Sequence, residues 1–480
     1  MSILDECCQK NNIIGAVLEP YSCVLNQTSI KYNANKFYIM QIIQTSSSYV
    51  LVTRYGRIGE YGTPIFQSYT DQSNATCEFS KKFKAKTGNN FGHSFVKKEG
   101  KYFLTEIETP KMDLKDEPTD IPNDNSEKNL DDEMDDRLKF FIEFISNEKM
   151  LSDSLLKLNV NPKKMPLGKI SNTQLDRAVE LLQKLKKIIE SNQQINIDEI
   201  NSISSEYYTL VPYSCGRRKP PVIDSSEKVD NNIELIEELR NIQITYTIIK
   251  NSTININRLT NIYSQLNVKL KPLDSSVPMY SELVKYVNNT QCQTHSCKLK
   301  IVDIYELNKE SEYDKYTQHM GNKMLLFHGS PVSNWCSIIK NGLYLDPSKL
   351  GVRISGKMFG YGIYWANAIS KSFNYCNADC FGNKAVLAIA EVALGDMYEQ
   401  YQSNIDISQV YLDNLKKNST WGKGQSSPEN VCVIDGVIIP NGIIKKNKIN
   451  ACQLQYDEFI IYNTNQYKIR YVIVVENTYQ

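Results

Sequence analysis

The alternation of apolar and polar residues near the start of the chain predicts a small antiparallel sheet. Two runs rich in β-branched and aromatic residues, 37–44 and 49–56, are separated by a polar turn. Three glycines within seven residues then indicate tight turns. We therefore predict a small β-rich domain over residues 21–109, preceded by a short tail over residues 1–20.

A lysine-rich segment within this domain has the spacing of a helix. In residues 74–90, Phe79 and Phe83 fall on one side. The other side carries Lys81, Lys82, Lys84 and Lys86. A lysine-rich side of this kind is usually only solvated, and a nucleic-acid surface is the alternative.

Residues 110–136 differ from everything before them. They are acidic, contain three prolines and hold few apolar residues. Such a segment cannot bury enough apolar surface to offset the entropy of ordering its chain, so we predict a disordered acidic linker.

A helical period dominates residues 137–252. Ser171 and Gln174 form a capping box, and residues 232–250 predict a further long helix. An apolar stripe behind the capping box consists of Leu175, Val179, Leu182, Leu185 and Ile189. The residues by themselves predict an all-α bundle with a packing role and no chemistry.

The remaining residues, 253–480, alternate short β-rich runs with loops and brief helices. This pattern predicts a mixed, largely antiparallel α/β domain, so the fold class is multidomain α+β. Gly360 and Gly362 continue into Trp365 and do not open a dinucleotide-binding helix. The glycines and serines of 422–427 do not have the spacing of the phosphate-binding loop of nucleoside triphosphatases.

Composition narrows the classes of protein further. The formal net charge of the 480 residues is +1, so any contact with nucleic acid must come from local basic patches. The 12 cysteines show no spacing of a zinc site, and we expect reduced thiols and no metal. No apolar run is long enough to span a membrane and no signal peptide is recognisable, so we expect neither secretion nor a membrane.

The strongest chemical signal lies in three C-terminal segments. His328 follows an apolar run and precedes Gly329, residues 359–375 combine aromatic side chains with two glycines, and Glu458 opens a late apolar run. A lone histidine or glutamate of this kind is more often structural than catalytic. The order of His-Gly-Ser, Gly-Ile-Tyr-Trp-Ala, Ser-Lys-Ser-Phe-Asn-Tyr and the late Glu, however, resembles the His-Tyr-Glu signature of the poly(ADP-ribose) polymerases.

This resemblance implies an ADP-ribosyltransferase that consumes NAD as a substrate and needs no further cofactor. By resemblance, Tyr364 and Tyr375 sandwich the nicotinamide ring. The Gly329 backbone and the Ser372 hydroxyl hold its carboxamide.

The same resemblance implies the remaining roles at the active site. His328, with Ser330 nearby, lies on the adenosine-side ribose. Glu458 stabilises the positive charge that develops on the other ribose and polarises the acceptor hydroxyl. The implied catalytic set is Glu458, Tyr364 and His328.

The N-terminal domain resembles the WGR domain of the same family, which binds DNA ends and relays their presence to the catalytic half. Tyr55 occupies the position of the eponymous tryptophan, and Arg57 that of the arginine. We expect Tyr55, Arg57, Lys81 and Lys82 to contact nucleic acid. Residues 164–171 and 207–223 resemble the family's autoinhibitory helical domain.

The leading hypothesis is therefore a polymerase that is activated by DNA breaks and modifies acceptor proteins including itself. We expect it in the nucleus, or at a cytosolic site of DNA replication if the source is a virus. Three positions depart from the family pattern. By resemblance, an arginine is expected at Tyr344, an aromatic residue at Lys357 before Met-Phe-Gly, and a lysine at Tyr361 between two glycines. The alternatives are a mono-ADP-ribosyltransferase, or a DNA-binding scaffold in which Tyr55, Tyr344 and Tyr361 impair the transferase.

Overall fold

The computed structural model describes residues 4–105, 133–157, 170–191, 196–252, 257–313, 315–317, 319–345, 357–378, 382–448 and 451–479. The described parts of 1–125 and 155–240 form one compact unit. Those of 126–154 and 241–480 form the second. Most of the predicted linker, and residues 164–169 of the first helical landmark, lie outside the described residues.

The first unit is built on an antiparallel five-stranded sheet of order β4-β3-β2-β1-β5. Its strands are β1 (Ala16–Ser29), β2 (Ala34–Gln44), β3 (Tyr49–Arg57), β4 (Thr63–Tyr69) and β5 (Phe103–Thr105). Its short helices are α1 (Glu6–Lys10) and α2 (Gln72–Thr87). Phe79 and Phe83 of α2 are buried against Met40 and Leu51, so the predicted strands and the predicted apolar side of the helix are confirmed.

Residues 4–20, which the sequence predicted to be a tail, are part of this folded unit. Asp5 caps α1, and Cys7 and Cys8 are fully buried. The guanidinium of Arg54, itself buried, pairs with the Asp5 carboxylate at 2.7 Å and with that of Glu6 at 3.2 Å. The correction has a physical cause, because Arg54 would be a buried unpaired charge without these two carboxylates.

The predicted all-α region is confirmed as a helical regulatory domain, and its helices are assigned in part to each of the two compact units. They are α3 (Asp136–Ile145), α4 (Glu148–Lys157), α5 (Asn172–Glu190), α6 (Ile197–Leu210), α7 (Ser226–Ser252) and α8 (Arg258–Leu266). On one side of the division, the backbone amide of Thr28 in β1 donates to the Thr209 hydroxyl of α6 at 3.1 Å. On the other, Phe141 of α3 packs on Tyr305 with ring centroids 4.7 Å apart.

A seven-stranded sheet of order β14-β15-β8-β10-β19-β7-β6 forms the core of the second unit. Its strands are β6 (Lys269–Pro272), β7 (Leu299–Asn308), β8 (Lys323–Gly329), β10 (Lys384–Ala393), β14 (Cys432–Ile434), β15 (Val437–Ile439) and β19 (Tyr467–Asn477). The strands β8, β10 and β19 run antiparallel in the middle. Every side chain of β10 from Ala385 to Ala393 is buried, which explains its continuous apolar run.

Two smaller sheets complete this unit. Their strands are β9 (Ile363–Trp365), β11 (Met397–Gln400), β12 (Ser419–Gly422), β13 (Gly424–Pro428), β16 (Ile444–Lys446), β17 (Leu454–Tyr456) and β18 (Glu458–Ile461). The short helices are α9 (Pro278–Asn289), α10 (Glu310–Tyr313), α11 (Trp335–Asn341), α12 (Ile369–Phe373) and α13 (Gln409–Asn414). The four-stranded sheet has the order β11-β12-β18-β9.

Candidate active site and nucleic-acid surface

Three strands bring the predicted catalytic residues into one region. His328 is the next-to-last residue of β8, Tyr364 is the middle residue of β9, and Glu458 opens β18. Strands β9 and β18 pair directly, with Tyr364 opposite Ile460. A reciprocal backbone bridge between Phe327 and Ala366 joins β8 to the end of β9.

The ring of His328 is fixed by the strand that carries Tyr364. Its Nδ1 lies 3.0 Å from the Tyr364 carbonyl oxygen, which can only accept, so Nδ1 carries the proton. Burial lowers the pKa of His328, and the positive charge of Lys357 adds to this effect. The neutral ring therefore offers the lone pair of Nε2 as an acceptor.

The backbone of Gly329 is in direct contact with the helix that carries Ser372. A Cβ on Gly329 would lie only 1.9 Å from the Ser372 carbonyl oxygen. The Ser372 hydroxyl donates to the Phe327 carbonyl at 3.1 Å. The two predicted carboxamide ligands are thus brought together, and only glycine fits at position 329.

The hydroxyl of Tyr364 is held by two hydrogen bonds. Its hydroxyl donates to the Gly360 carbonyl at 2.8 Å and accepts from the Phe359 amide at 3.0 Å. Burial raises the pKa of this hydroxyl well above its usual value, so it stays protonated. The Tyr375 side chain is 62% exposed, which leaves its ring accessible to a ligand.

Ser330 lies at the start of a segment that is supported by the regulatory helices of the same unit. Its hydroxyl accepts from the Asn334 side-chain amide at 3.1 Å. The neighbouring Ser333 carbonyl accepts from the Thr245 hydroxyl at 3.1 Å. The Cys336 thiol lies 3.4 Å from the Ile145 carbonyl. The described contacts connect α3 and the end of α7 to the segment that follows His328.

The carboxylate of Glu458 has a partner that sequence reasoning did not assign. Glu458 is buried, and the Lys371 ammonium lies 3.0 Å from its Oε1. The same ammonium donates to the Tyr456 carbonyl at 2.7 Å. Burial lowers the pKa of Lys371, and the Glu458 charge opposes that shift. Lys371 stands directly before Ser372 in the motif, and this adjacency is the signal that would have identified it.

In the first unit, Tyr55 lies on the face of the sheet that α2 covers in part. Its side chain is 39% exposed, and its ring stacks on that of Tyr38 at 5.6 Å between centroids. The ammonium of Lys86 lies 4.6 Å from the Tyr38 ring centroid. Lys86 is therefore a neighbour of this aromatic pair, which its position in the helix did not predict.

The half-buried side chain of Arg57 is engaged with protein carbonyls. Its guanidinium donates to the carbonyls of Asn33 (3.0 Å), Arg218 (2.6 Å) and Gly216. Its Nη2 also reaches the Asn33 side-chain oxygen at 2.9 Å. The arginine thus binds the loop that follows α6, within the first unit. A phosphate contact by Arg57 stays a prediction.

Lys81 and Lys82 lie on the outer side of α2. The Lys81 side chain is 70% exposed and that of Lys82 27%, and each ammonium is 4.0 Å from a Glu78 carboxylate oxygen. Exposed ion pairs at this distance contribute little free energy, so they are easily exchanged for other partners. Both lysines remain available to phosphate groups.

Comparisons with known proteins agree with the order of these domains. A family model of the WGR domain matches residues 21–98, one of the poly(ADP-ribose) polymerase regulatory domain matches 133–265, and one of the poly(ADP-ribose) polymerase catalytic domain matches 279–477. The chain is an ADP-ribosyltransferase. It belongs to the poly(ADP-ribose) polymerase family, as the sequence predicted.

Relatives match over nearly the whole chain. The chain is 33% identical to poly [ADP-ribose] polymerase 2 from Arabidopsis thaliana, in an alignment covering 100% of this chain and 76% of the relative. It is 30% identical to poly [ADP-ribose] polymerase 2 from Homo sapiens, covering 95% of this chain and 79% of the relative.

The described residues show neither a metal-binding cluster nor a membrane-spanning helix. No group of three or more His, Cys, Asp or Glu among them could hold a metal ion. Nor does any helix in the described ranges have the length and apolar character needed to cross a membrane.

Proposed function

We propose that this chain cleaves NAD at the bond between nicotinamide and ribose and builds poly(ADP-ribose) on acceptor proteins, including itself, in response to DNA breaks. The observation that carries the proposal is the buried Glu458, held by Lys371 next to the strand of Tyr364. The reaction uses such a carboxylate in two steps. It first accepts a hydrogen bond from the ribose 2′-hydroxyl, and it then polarises the acceptor hydroxyl.

Nicotinamide binding comes first. The rings of Tyr364 and Tyr375 cover the two faces of the pyridine, and the Gly329 backbone accepts from and donates to its carboxamide. Ser372 adds a hydroxyl to the carboxamide. Support comes from the locked Tyr364 hydroxyl and the close packing of Gly329 on Ser372.

His328 and Ser330 bind the adenosine-side ribose. Since Nδ1 of His328 is used by the Tyr364 carbonyl, Nε2 accepts from a ribose hydroxyl. The lowered pKa of His328 favours the neutral ring that this contact requires.

Bond cleavage places positive charge on the nicotinamide-side ribose, and the electron pair of the bond leaves with nicotinamide. The Glu458 carboxylate accepts a hydrogen bond from the ribose 2′-hydroxyl and stabilises the developing charge. The acceptor oxygen then bonds to the ribose carbon as its proton moves towards Glu458. Lys371 positions the carboxylate for both contacts.

The proposal also covers activation of the transferase by DNA. Tyr55, Lys81 and Lys82 contact the DNA end, with Lys86 beside the aromatic pair. Arg57 ties the WGR-type sheet to the loop after α6, so displacement of the sheet strands is transmitted to the regulatory helices. Relief of helical-domain inhibition follows from that displacement.

Neither alternative function gains support. A mono-transferase is disfavoured because the His328, Tyr364 and Glu458 set is complete. A scaffold with an impaired transferase is disfavoured by the supported carboxylate. We place the protein in the nucleus, where broken DNA is the activating partner.

The test is incubation of the full chain with labelled NAD, with and without short DNA carrying a 5′-phosphorylated break, followed by a denaturing gel. A long smear that requires DNA is the expected result. A single sharp band would indicate mono-transfer. Tight DNA binding without any label would replace the proposal by the scaffold.

A further inference from the structure

Two of the three departures from the family motif lie next to each other in the structure. The family pattern has an aromatic residue before Met358 and a lysine between Gly360 and Gly362, and this chain has Lys357 and Tyr361 at those positions. The Lys357 ammonium lies 4.8 Å from the Tyr361 ring centroid. The aromatic and the cation have therefore exchanged positions and remain in contact.

The turn that carries this pair is held firmly. The Phe359 carbonyl accepts from the Tyr462 hydroxyl at 2.5 Å, and the Phe359 amide donates to the Tyr364 hydroxyl at 3.0 Å. Tyr361 is only 5% exposed, so its ring is a fixed platform. Lys357, at the start of this turn, is half-buried.

Two observations relate the Lys357 ammonium to both ends of the proposed NAD site. The Lys357 ammonium is 5.9 Å from the Tyr364 ring centroid, on the nicotinamide side. Its charge also acts on His328, on the adenosine-ribose side, where it helps to lower the pKa. In an extended NAD molecule, the group between those two ends is the diphosphate. A diphosphate is the one part of NAD that favours a lysine ammonium.

We propose that Lys357 binds the diphosphate of an ADP-ribose unit and replaces, from the other end of the turn, the cation that the family motif places at position 361. The inference rests on the proposed function, because it takes NAD as the donor and poly(ADP-ribose) as the acceptor. Both molecules carry the same diphosphate, and the experiment separates them.

The experiment compares the full chain with its Lys357→Met, Lys357→Arg and Lys357→Tyr/Tyr361→Lys variants. Calorimetry measures binding of nicotinamide, which has no phosphate, and of ADP-ribose. Steady-state assays with DNA give KM and kcat for NAD and the mean chain length. Thermal unfolding checks that each variant folds.

We expect Lys357→Met to weaken ADP-ribose binding by about tenfold or more, the effect of one charge-assisted hydrogen bond. Nicotinamide binding stays within about twofold. Lys357→Arg and the exchange variant retain most of the ADP-ribose affinity, since each restores a cation. A raised KM for NAD assigns the contact to the donor, and shorter chains at an unchanged KM assign it to the acceptor.

Two results would overturn the inference. Equal losses of nicotinamide affinity and ADP-ribose affinity would mean that Lys357 only supports the position of the Tyr364 ring. Unchanged ADP-ribose binding, KM and chain length would remove the contact altogether. Failure of the proposed function is a different result, because a wild-type chain that transfers no label still reports nicotinamide and ADP-ribose binding in the calorimeter.

Discussion

The Glu458–Lys371 pair defines the chemistry at the scale of single residues. The second unit contains a comparable pair at its surface, Lys384 and Glu476, with a distance of 3.2 Å and both side chains about one-third exposed. Removing one partner of the buried pair leaves a buried charge, which costs much free energy. Removing one partner of the exposed pair leaves a charge in water, which costs little. The two pairs therefore provide matched substitutions.

We predict that Glu458→Gln lowers chain elongation by about 100-fold or more, the usual effect of removing a group that stabilises developing charge. Release of nicotinamide persists at a reduced rate, because the ring slot is untouched. The measurement is chain length and free nicotinamide from labelled NAD. Glu476→Gln serves as the control, and equal losses in both variants would contradict the assigned role.

Lys371→Met tests the positioning role of the ammonium. We expect chain elongation to fall by about tenfold or more, because Glu458 loses the partner that orients it. We expect nicotinamide affinity to be retained, since the contacts of Lys371 are with Glu458 and with the carbonyls of Tyr456 and Asp457. Lys384→Met is the control. A loss of nicotinamide binding together with elongation would show a general collapse of the site.

Sequence reasoning identified His328, Tyr364 and Glu458 because their motifs are local. It did not assign Lys371, since its partner lies 87 positions away in the chain (458 minus 371). It predicted a phosphate contact for Arg57, which stays a prediction, and it did not predict the hydrogen bonds of Arg57 to the carbonyls of Asn33, Gly216 and Arg218. Pairings between distant segments leave no periodic trace in a sequence.

At the scale of elements, the contact between β8 and α12 leaves no room for a side chain at position 329. We predict that Gly329→Ala abolishes transfer and destabilises the second unit by about 1–3 kcal/mol, because its Cβ would overlap the Ser372 carbonyl. Thermal unfolding and the gel assay measure the two effects. Gly321→Ala is the control, since nothing lies within 4 Å of its Cβ position. Normal activity of Gly329→Ala would refute the close packing.

Helix α7 carries an acid whose titration depends on folding. Burial, aided by Glu234 and Glu237, raises the pKa of Glu238 from 4.5 to about 7. The folded state thus holds a proton that the unfolded state releases between these values, so Glu238 costs stability progressively as the pH rises from about 4.5 to 7.

We predict that Glu238→Gln is about as stable as the wild type at pH 4.5 and more stable by roughly 1–3 kcal/mol at pH 8. Thermal unfolding of the first unit at both pH values measures the difference. Glu180→Gln on the exposed side of α5 is the control. A constant difference across the pH range would contradict the assignment.

The strands and long helices followed from periodicity, as for 37–44 in β2 and 232–250 in α7. The fold of residues 4–20 did not, because it depends on the buried Arg54 and not on a local pattern. Similarly, Gln174 of the predicted capping box donates to the Leu210 carbonyl at 2.7 Å. The box pattern could not reveal that tertiary partner.

At the scale of the whole molecule, binding of DNA and response to DNA are separable. We predict that Arg57→Met abolishes stimulation by broken DNA, because its donors hold the loop after α6 against the sheet. A loss of DNA affinity larger than about threefold would in addition support the predicted phosphate contact. Titration calorimetry and the DNA-dependent gel assay give the two quantities. Retained stimulation would remove Arg57 from the relay.

The double variant Lys81→Glu/Lys82→Glu should weaken DNA binding and leave the response to bound DNA intact. We expect weaker DNA binding and a salt dependence whose slope falls by about 0.9 for each lost phosphate contact. The transfer rate at saturating DNA stays near that of the wild type. Lys445→Glu/Lys446→Glu, an exposed pair on β16, is the control. An unchanged slope would place the DNA elsewhere.

The hydrogen bond between β1 and α6 has a consequence for folding during synthesis. The amide of Thr28 finds its partner hydroxyl 181 residues later, in α6. The five-stranded sheet leaves the ribosome long before that helix exists, so the end of β1 beyond its pairing with β5 waits unpaired while the linker and three further helices are made. A chain truncated between the sheet and α6 keeps that end of β1 exposed, and it is therefore a poor fragment for expression despite containing the entire sheet.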